Sequence, residues 1–558
     1  MVDILTNHLS QTWLGMDHEF IAQTEAVNGD HKKLEKILSE WTESHAGEIA
    51  EREVRNLTVS GEENLWEQIL RKANGTDLSW MDEYGLKVLP EEKVLAQFLF
   101  QYPKDKCRKI GKHIVDALLH GFLSQSRDRR DRRHVRLNYC MGQEALVQEV
   151  LKNLEERGLI AIVQRPQCLA QSGDYAMMHA ADKAACLSDT SLQAMKSAYA
   201  VAYEAHRDIL LDTCGMIGLG QFGAEASVPQ PVPETYIPSA ERRSRLTELE
   251  NIKRETEAVY LSPSDLSFCR VAFPNLQLGV KFPEVFDAFV DLNTMESEEY
   301  ELIQQKMIDV LDLCEHAEIR GVEGNDTNLL VRFWPLRNPE RETKFLNCGG
   351  DLNIPHGELF TTPELTGTEG TLHIKLIYLK GVCFQDLRLT FKDGYVVDYS
   401  CGGFDDEETQ RAYVKEHLLQ GHETLTMGEF AIGSNTLAYA IARDMDLVSR
   451  MPILLAEKMG PHIAVGDPCF ARGEGPTVYN LYDHKEMVAR ENERTARRHT
   501  DKDVYQNVHT DITLAFDELA SLVGVTEDGR RIEIIKNGRF VLPGTEKLNE
   551  PLERGVLS

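Results

Sequence analysis

The sequence predicts an α/β part with a parallel sheet, followed by a β-rich α+β part, behind an extra helical N-terminal extension. Three observations predict this. Residues 134–163 read as strand, amphipathic helix and strand. After about residue 296, short alternating strands with turn signals take over. Before about residue 90, the apolar residues recur only at helical spacing. The expected domains are an extension at 1–90, an α/β domain at 91–295 and a β-rich domain at 296–558.

Taken in order, residues 1–90 are polar and rich in Glu, Lys and Trp. Asp30–Ser44 carries Leu34, Ile37, Leu38 and Trp41 at helical spacing. No catalytic pattern occurs there, and a cap or docking element is expected. Lys112–Leu123 reads as an amphipathic helix. Arg127, Arg129, Arg130, Arg132, Arg133 and Arg136 follow, interleaved with two Asp residues. A solvated helix end is expected there, not a nucleic-acid patch. His134–Tyr139 reads as a strand and Gln143–Arg157 as a helix, with Leu146, Val147, Val150, Leu151 and Leu154 on one face and Gly158 as its cap. Leu159–Val163 reads as the next strand, and a right-handed parallel crossover is the default for such a unit.

Gly218-Leu219-Gly220-Gln221-Phe222-Gly223 matches G-x-G-x-x-G. A pyrophosphate site needs a helix opening directly behind it. Val228, Pro229, Pro231 and Pro233 occupy that stretch, so a glycine-rich loop is expected. Ser239–Thr256, Pro283–Val290 and Glu298–Cys314 read as helices, with Pro283 suited to a first helical position. Ala317–Phe333 reads as a hairpin. Gly370–Tyr378, Asp386–Phe391 and Tyr395–Cys401 read as further strands, the last two joined at Lys392-Asp393-Gly394.

Composition narrows the class. With 558 residues and 42% hydrophobic residues, the chain can bury sizeable cores. A formal charge of −29 argues against general affinity for nucleic acid or anionic membranes. No run of 18 apolar residues occurs, and the first residues, with Asp3, His8 and Asp17, lack the pattern of a signal peptide. The 11 cysteines are scattered without a CxxC pair, which argues for a reducing, cytoplasmic setting and against a cysteine-based zinc site.

The chemistry gathers around Asn353-Ile354-Pro355-His356-Gly357-Glu358-Leu359-Phe360-Thr361-Thr362-Pro363, a turn followed by a strand start. Glu358 sits between glycine and apolar residues, where a charge needs a partner. Glu429 lies in Met427-Gly428-Glu429-Phe430-Ala431-Ile432-Gly433, and His462 in Gly460-Pro461-His462-Ile463-Ala464-Val465-Gly466. Taken singly, Glu429 also reads as an N-cap or a salt-bridge partner, and His462 as a satisfied core imidazole. In Val508-His509-Thr510-Asp511-Ile512, strand alternation puts His509 and Asp511 on one face. Its bland reading is a surface strand with alternating polar positions. Three carboxylates and two imidazoles without a thiolate suit Zn, Co or Mn, with Mg as a further candidate. Three carboxylates also favour a pair of ions roughly 3.5–4 Å apart over a single zinc.

These residues resemble the aminopeptidase T/aminopeptidase S family of metallopeptidases (leucyl aminopeptidase, aminopeptidase T type). The resemblance rests on the 353–363 stretch, Gly428-Glu429-Phe430 with Gly433-Ser434-Asn435, Glu457-Lys458 followed by His462-Ile463-Ala464-Val465-Gly466, and His509-Thr510-Asp511. It covers about 95–515, most strongly from 320 onward, and leaves residues 1–90 as an addition. It implies an N-terminal α/β domain, a β-rich metal-binding domain, a homodimer enclosing the active sites and a two-metal exopeptidase acting on peptides with a free N-terminus. Glu358, Glu429, His462, His509 and Asp511 fall on the family's ligand positions. The family's tyrosine, seven residues after the first histidine, is Cys469 here. Either Tyr479 substitutes for it or the Cys469 sulfur approaches a metal.

The expected reaction is metal-assisted hydrolysis of the first peptide bond, with Glu358 or Glu429 carrying a proton to the leaving amine. Two other readings stand beside it. A branch that looks related contains mononuclear Fe(II) ring-cleaving dioxygenases acting on hydroxylated pyridines, for which His462, His509 and Asp511 would serve. The other is a non-catalytic peptidase-like scaffold, with Cys469 as its sign of decay.

Overall fold

The computed structural model describes residues 30–124, 128–169, 184–224, 239–262, 265–295, 298–348, 352–379, 382–470, 477–480, 482–498, 500–501 and 504–554. Helices, a parallel strand pairing in each of two compact units, and two large antiparallel sheets make up a mixed α/β fold. One unit comprises Met1–Gln101, Arg129–Met216 and Val232–Leu266; the other comprises Tyr102–Asp128, Ile217–Pro231 and Ser267–Ser558. Leu34, Leu38, Ile49 and Val54 share one apolar cluster with Met195, Tyr199, Leu249 and Ile252, so the early helices have no core of their own.

In the first unit, helix His31–Ser44 starts where the Asp30 side chain accepts from the Lys33 N–H. The strand–helix–strand unit runs through His134–Asn138, Glu144–Glu156 and Ile160–Val163, with its two strands parallel. The helix buries Leu146, Val147, Val150, Leu151 and Leu154, the face its periodicity predicts.

Two expectations are corrected. Residues 129–136 are not a solvated helix end: the preceding helix stops at Ser124, and the chain turns into the strand that opens at His134. Arg132 pairs with Asp265 at 2.8 Å and Arg136 with Glu257 at 2.6 Å, while Arg130 and Arg133 are exposed. Arg127 lies outside the described residues. The glycine-rich motif is not a loop either. Thr213–Phe222 is a strand, and Gly218 and Gly220 share one of its faces. A Cβ on Gly220 would stand 3.8 Å from that of Ala272, an ordinary contact, so the strand has room for a side chain there. Val228, Pro229, Pro231 and Pro233 lie outside the described residues.

The second unit is β-rich from Cys314 onward. Its eight-stranded sheet runs Tyr395–Gly402, Val382–Lys392, Glu364–Leu379, Asn328–Arg332, Cys314–Gly321, Leu519–Thr526, Arg531–Lys536 and Arg539–Phe540. The expected hairpins are all present. Helix Glu298–Leu311 ends before Cys314, which opens a strand. A five-stranded antiparallel sheet follows the order His509–Thr513, Pro461–Gly466, Met427–Gly433, Glu358–Thr361, Leu346–Cys348. Its apolar face carries Leu359, Phe430, Ile432, Ile463, Val465 and Ile512, all buried. Phe430 stacks on Phe333 with ring centroids 5.7 Å apart and meets the edge of Phe345 at 6.2 Å.

Phe430 anchors this sheet without touching its polar face. Phe430→Ala is expected to cost about 3–5 kcal/mol, read as a lowered urea midpoint.

Candidate metal centre

Register, more than proximity in sequence, assembles the site. Ala464 pairs with both Glu429 and Asp511, and Ala431 pairs with both His462 and Phe360. Directly opposed residues share a face, and so do residues two apart on one strand. Glu358, Glu429, His462, His509 and Asp511 therefore all project from the face opposite Phe430. A bulge between Met427 and Glu429 sets the acid in that register.

Two backbone clamps fix the ends of this arrangement. Gly357 has φ +123°, and its carbonyl accepts from the Ser434 N–H at 2.7 Å. Asn435 caps helix Thr436–Asp444 with its side-chain oxygen and donates through Nδ2 to the His356 carbonyl at 2.8 Å. The Gly433-Ser434-Asn435 turn thus holds the loop that delivers Glu358. At the other end Gly466 has φ +114°, and a Cβ there would lie 1.9 Å from the Val508 carbonyl oxygen. Only glycine fits that approach. The Asp467 carboxylate then accepts from the Gln506 and Asn507 N–H groups, each at 2.8 Å, directly before His509.

The donor atoms converge. His462 Nε2 lies 3.1 Å from Glu429 Oε1 and 3.7 Å from Glu358 Oε2. His509 Nε2 lies 3.3 Å from Asp511 Oδ1 and 3.9 Å from Glu429 Oε2. Cys469 Sγ lies 2.9 Å from Glu429 Oε2 and 3.7 Å from His509 Nε2. Each imidazole donates its Nδ1–H to a backbone carbonyl, His509 to Asp467 at 2.7 Å and His462 to Gly460 at 3.3 Å. Both Nε2 atoms are thereby turned to the centre, as metal-ligating histidines require. Two groups of possible ligands result, Glu358–Glu429–His462 and Glu429–Cys469–His509, with Glu429 in both. Tyr479 is 36% exposed, and its backbone bridges to Glu486; among the described residues no contact joins its ring to this cluster.

Sequence reasoning assigned no role to Lys458. It is 2% exposed, and its ammonium pairs with Glu358 Oε1 and, at 2.9 Å, with Glu457 Oε1. In the sequence it appears only within the Glu457-Lys458 step that the family resemblance includes, with no role attached.

Charge crowding moves the protons. Burial opposes the charged form of His462, but the Glu429 hydrogen bond and the Glu429, Glu358 and Asp511 charges outweigh it and raise it to about 9. Burial likewise opposes a charged His509, and Cys469 and Asp511 hold it well above the usual imidazole range. Burial pushes Asp511 up, yet the His509 hydrogen bond and charge bring it to about 2. At Glu457 burial prevails over Lys458, and the carboxyl rises to about 7. Glu358 Oε2 is buried with no hydrogen-bond partner. An orphaned carboxylate oxygen 3.7 Å from the His462 Nε2 is what a cation would satisfy. The residues present therefore fit a divalent metal.

The sequence pattern of the family described as "Thermophilic metalloprotease (M29)" matches residues 273–540, which include every one of these donors. Residues 273–540 belong to the M29 metallopeptidase family. Aminopeptidase 2 of Geobacillus stearothermophilus is 27% identical over 190 residues, covering 34% of this chain and 40% of that protein. The chain thus matches well under half the length of this curated relative. The solved structure of wild-type AmpT from Thermus thermophilus superposes with a TM-score of 0.48 at 15% identity, over 78% of this chain and 99% of that one. Among the described residues, no helix is long and apolar enough to cross a membrane.

Two outcomes follow from the electrostatics. Lys458→Met strands two buried carboxylates and is expected to cost about 3–5 kcal/mol in chelator-treated protein; added Zn should recover part of the lost denaturation midpoint. The second concerns His356, which is buried against Tyr300, with burial, His113 and Lys458 lowering it to about 3. Below about pH 6.5 the unfolded chain binds a proton that the folded chain refuses, so stability falls as pH drops from 6.5 toward 3. His356→Phe should remove this contribution. The stability of the wild type relative to the variant is expected to fall by up to about 1.4 kcal/mol per pH unit over that window, measured by denaturant titration at each pH.

Proposed function

We propose that this chain is a metal-dependent aminopeptidase that removes N-terminal residues from peptides at a centre holding two divalent cations. One observation carries the reading: Glu429 belongs to two ligand groups, offering Oε1 to the His462 side and Oε2 to the His509 side. A carboxylate used from both ends is the natural bridge between paired ions. A mononuclear Fe(II) centre built from His462, His509 and Asp511 would give Glu358 and Glu429 no work.

Bound divalent ions would acidify a water and polarise the scissile carbonyl. The residues of the chain supply the rest. His462 and His509 keep their Nε2 atoms fixed through the carbonyl bonds behind them, which limits reorganisation during reaction. Both oxygens of Glu429 are taken, whereas Glu358 has Oε1 tied to Lys458 and Oε2 unpartnered. Glu358 or Glu429 would take a proton from the attacking water and pass it to the leaving amine. A substrate's free α-ammonium would find carboxylates at the same centre, which selects for peptide ends. Zn, Co or Mn suits the donor set.

Chelator-stripped protein should release p-nitroaniline from an aminoacyl-p-nitroanilide panel once Zn, Co or Mn is returned. Glu429→Gln should hold fewer ions per chain and lose at least about 100-fold in kcat/KM. Should no metal restore release to the wild type while Fe(II) supports oxygen uptake with a dihydroxypyridine, the peptidase reading falls.

A further inference from the structure

The His509 side of the centre differs in chemistry from the His462 side. Around His462 the neighbours are the oxygens of Glu358 and Glu429. Around His509 they are Glu429 Oε2, Asp511 Oδ1 and a sulfur, Cys469 Sγ. We propose that Cys469 is a thiolate ligand of the cation on the His509 side, making that position a sulfur-containing site that takes Zn or Co over Mg or Mn. This rests on the metal-centre reading above and adds a ligand to it.

Geometry carries the assignment. Tetrahedral ligands at about 2.3 Å (Zn–S) and about 2.0–2.1 Å (Zn–N) stand roughly 3.6 Å apart. Cys469 Sγ and His509 Nε2 are 3.7 Å apart. One short loop sets both positions. The Asp467 carbonyl accepts from His509 Nδ1 at 2.7 Å, and Cys469 follows two residues later. The Asp467 carboxylate ties that loop to the backbone ahead of His509. The segment that turns the imidazole toward the centre thus also carries the thiol to it. Without a cation the thiol donates to Glu429 Oε2 at 2.9 Å. On ligation the S–H proton leaves to solvent, a sulfur–metal bond forms, and Glu429 Oε2 is released from that hydrogen bond to bind the cation. Thiolate selects Zn and Co and disfavours the hard cations Mg and Mn.

Accessibility makes the test direct. Cys469 is exposed, whereas the other ten cysteines are buried or partly buried. The full-length, chelator-stripped chain is titrated with Co(II), and bound metal is counted. Wild type should develop a near-ultraviolet sulfur-to-cobalt charge-transfer band. Cys469→Ser should lack that band yet still bind cobalt. In parallel, Zn should slow modification of the native wild-type chain by a thiol reagent at least about tenfold, and Mg should not. This second readout needs no variant. If cobalt binds without the band and Zn gives no protection, the thiolate assignment is overturned and the two-metal reading survives. If no divalent cation binds wild type at all, both readings fall.

Discussion

The pairing register of one antiparallel sheet is the constraint on which the centre depends. Five donors from four strands meet because Ala464 and Ala431 align their neighbours across three adjacent strands. A strand's side chains alternate between faces, so a slip of one residue would exchange His462 for Ile463 and send the imidazole into the core. The apolar face prevents this slip. Leu359, Phe430, Ile432, Ile463, Val465 and Ile512 can be buried together in only one register. Hydrophobic burial thereby dictates the geometry of the donor cluster from the opposite side of the sheet.

The same packing creates an electrostatic problem. Glu358, Glu429, Glu457 and Asp511 are crowded into a nearly dry region. Removing charge from water is costly, and mutual repulsion adds to the cost. Lys458 offsets part of it permanently, while the raised imidazoles hold protons that a cation would displace. Lys458 is thus a structural cation beside the place for exchangeable ones. By neutralising one oxygen of Glu358 it leaves the other turned toward the centre.

Much of the fold could be read from the sequence where a single period dominates. The helix at 144–156, the parallel pair around it and the hairpins after 314 follow from local spacing and turn chemistry. The donors were legible for a related reason: a charge or imidazole inside an apolar strand pattern stands out, as at Glu358 and His462. Lys458 was not legible, because a Glu-Lys step before a glycine looks the same whether water or protein surrounds it. Gly218 and Gly220 misled for the converse reason. Glycine also occurs inside strands, and only the pairing of Thr213–Phe222 distinguishes that from a turn. The unit edges were hidden because the early helices and Asp189–Ala205 are joined by a core whose parts lie far apart in sequence.

The strand-borne donors and the loop-borne one differ in their freedom to change. Replacing His462 or Glu429 alters a residue whose neighbours on both strands also belong to the sheet. Cys469 lies beyond the strand end, on a loop held by Asp467, and its sulfur meets Glu429 and His509. A substitution at that loop position can therefore change the donor set while the strand register that assembles the other donors stays as it is.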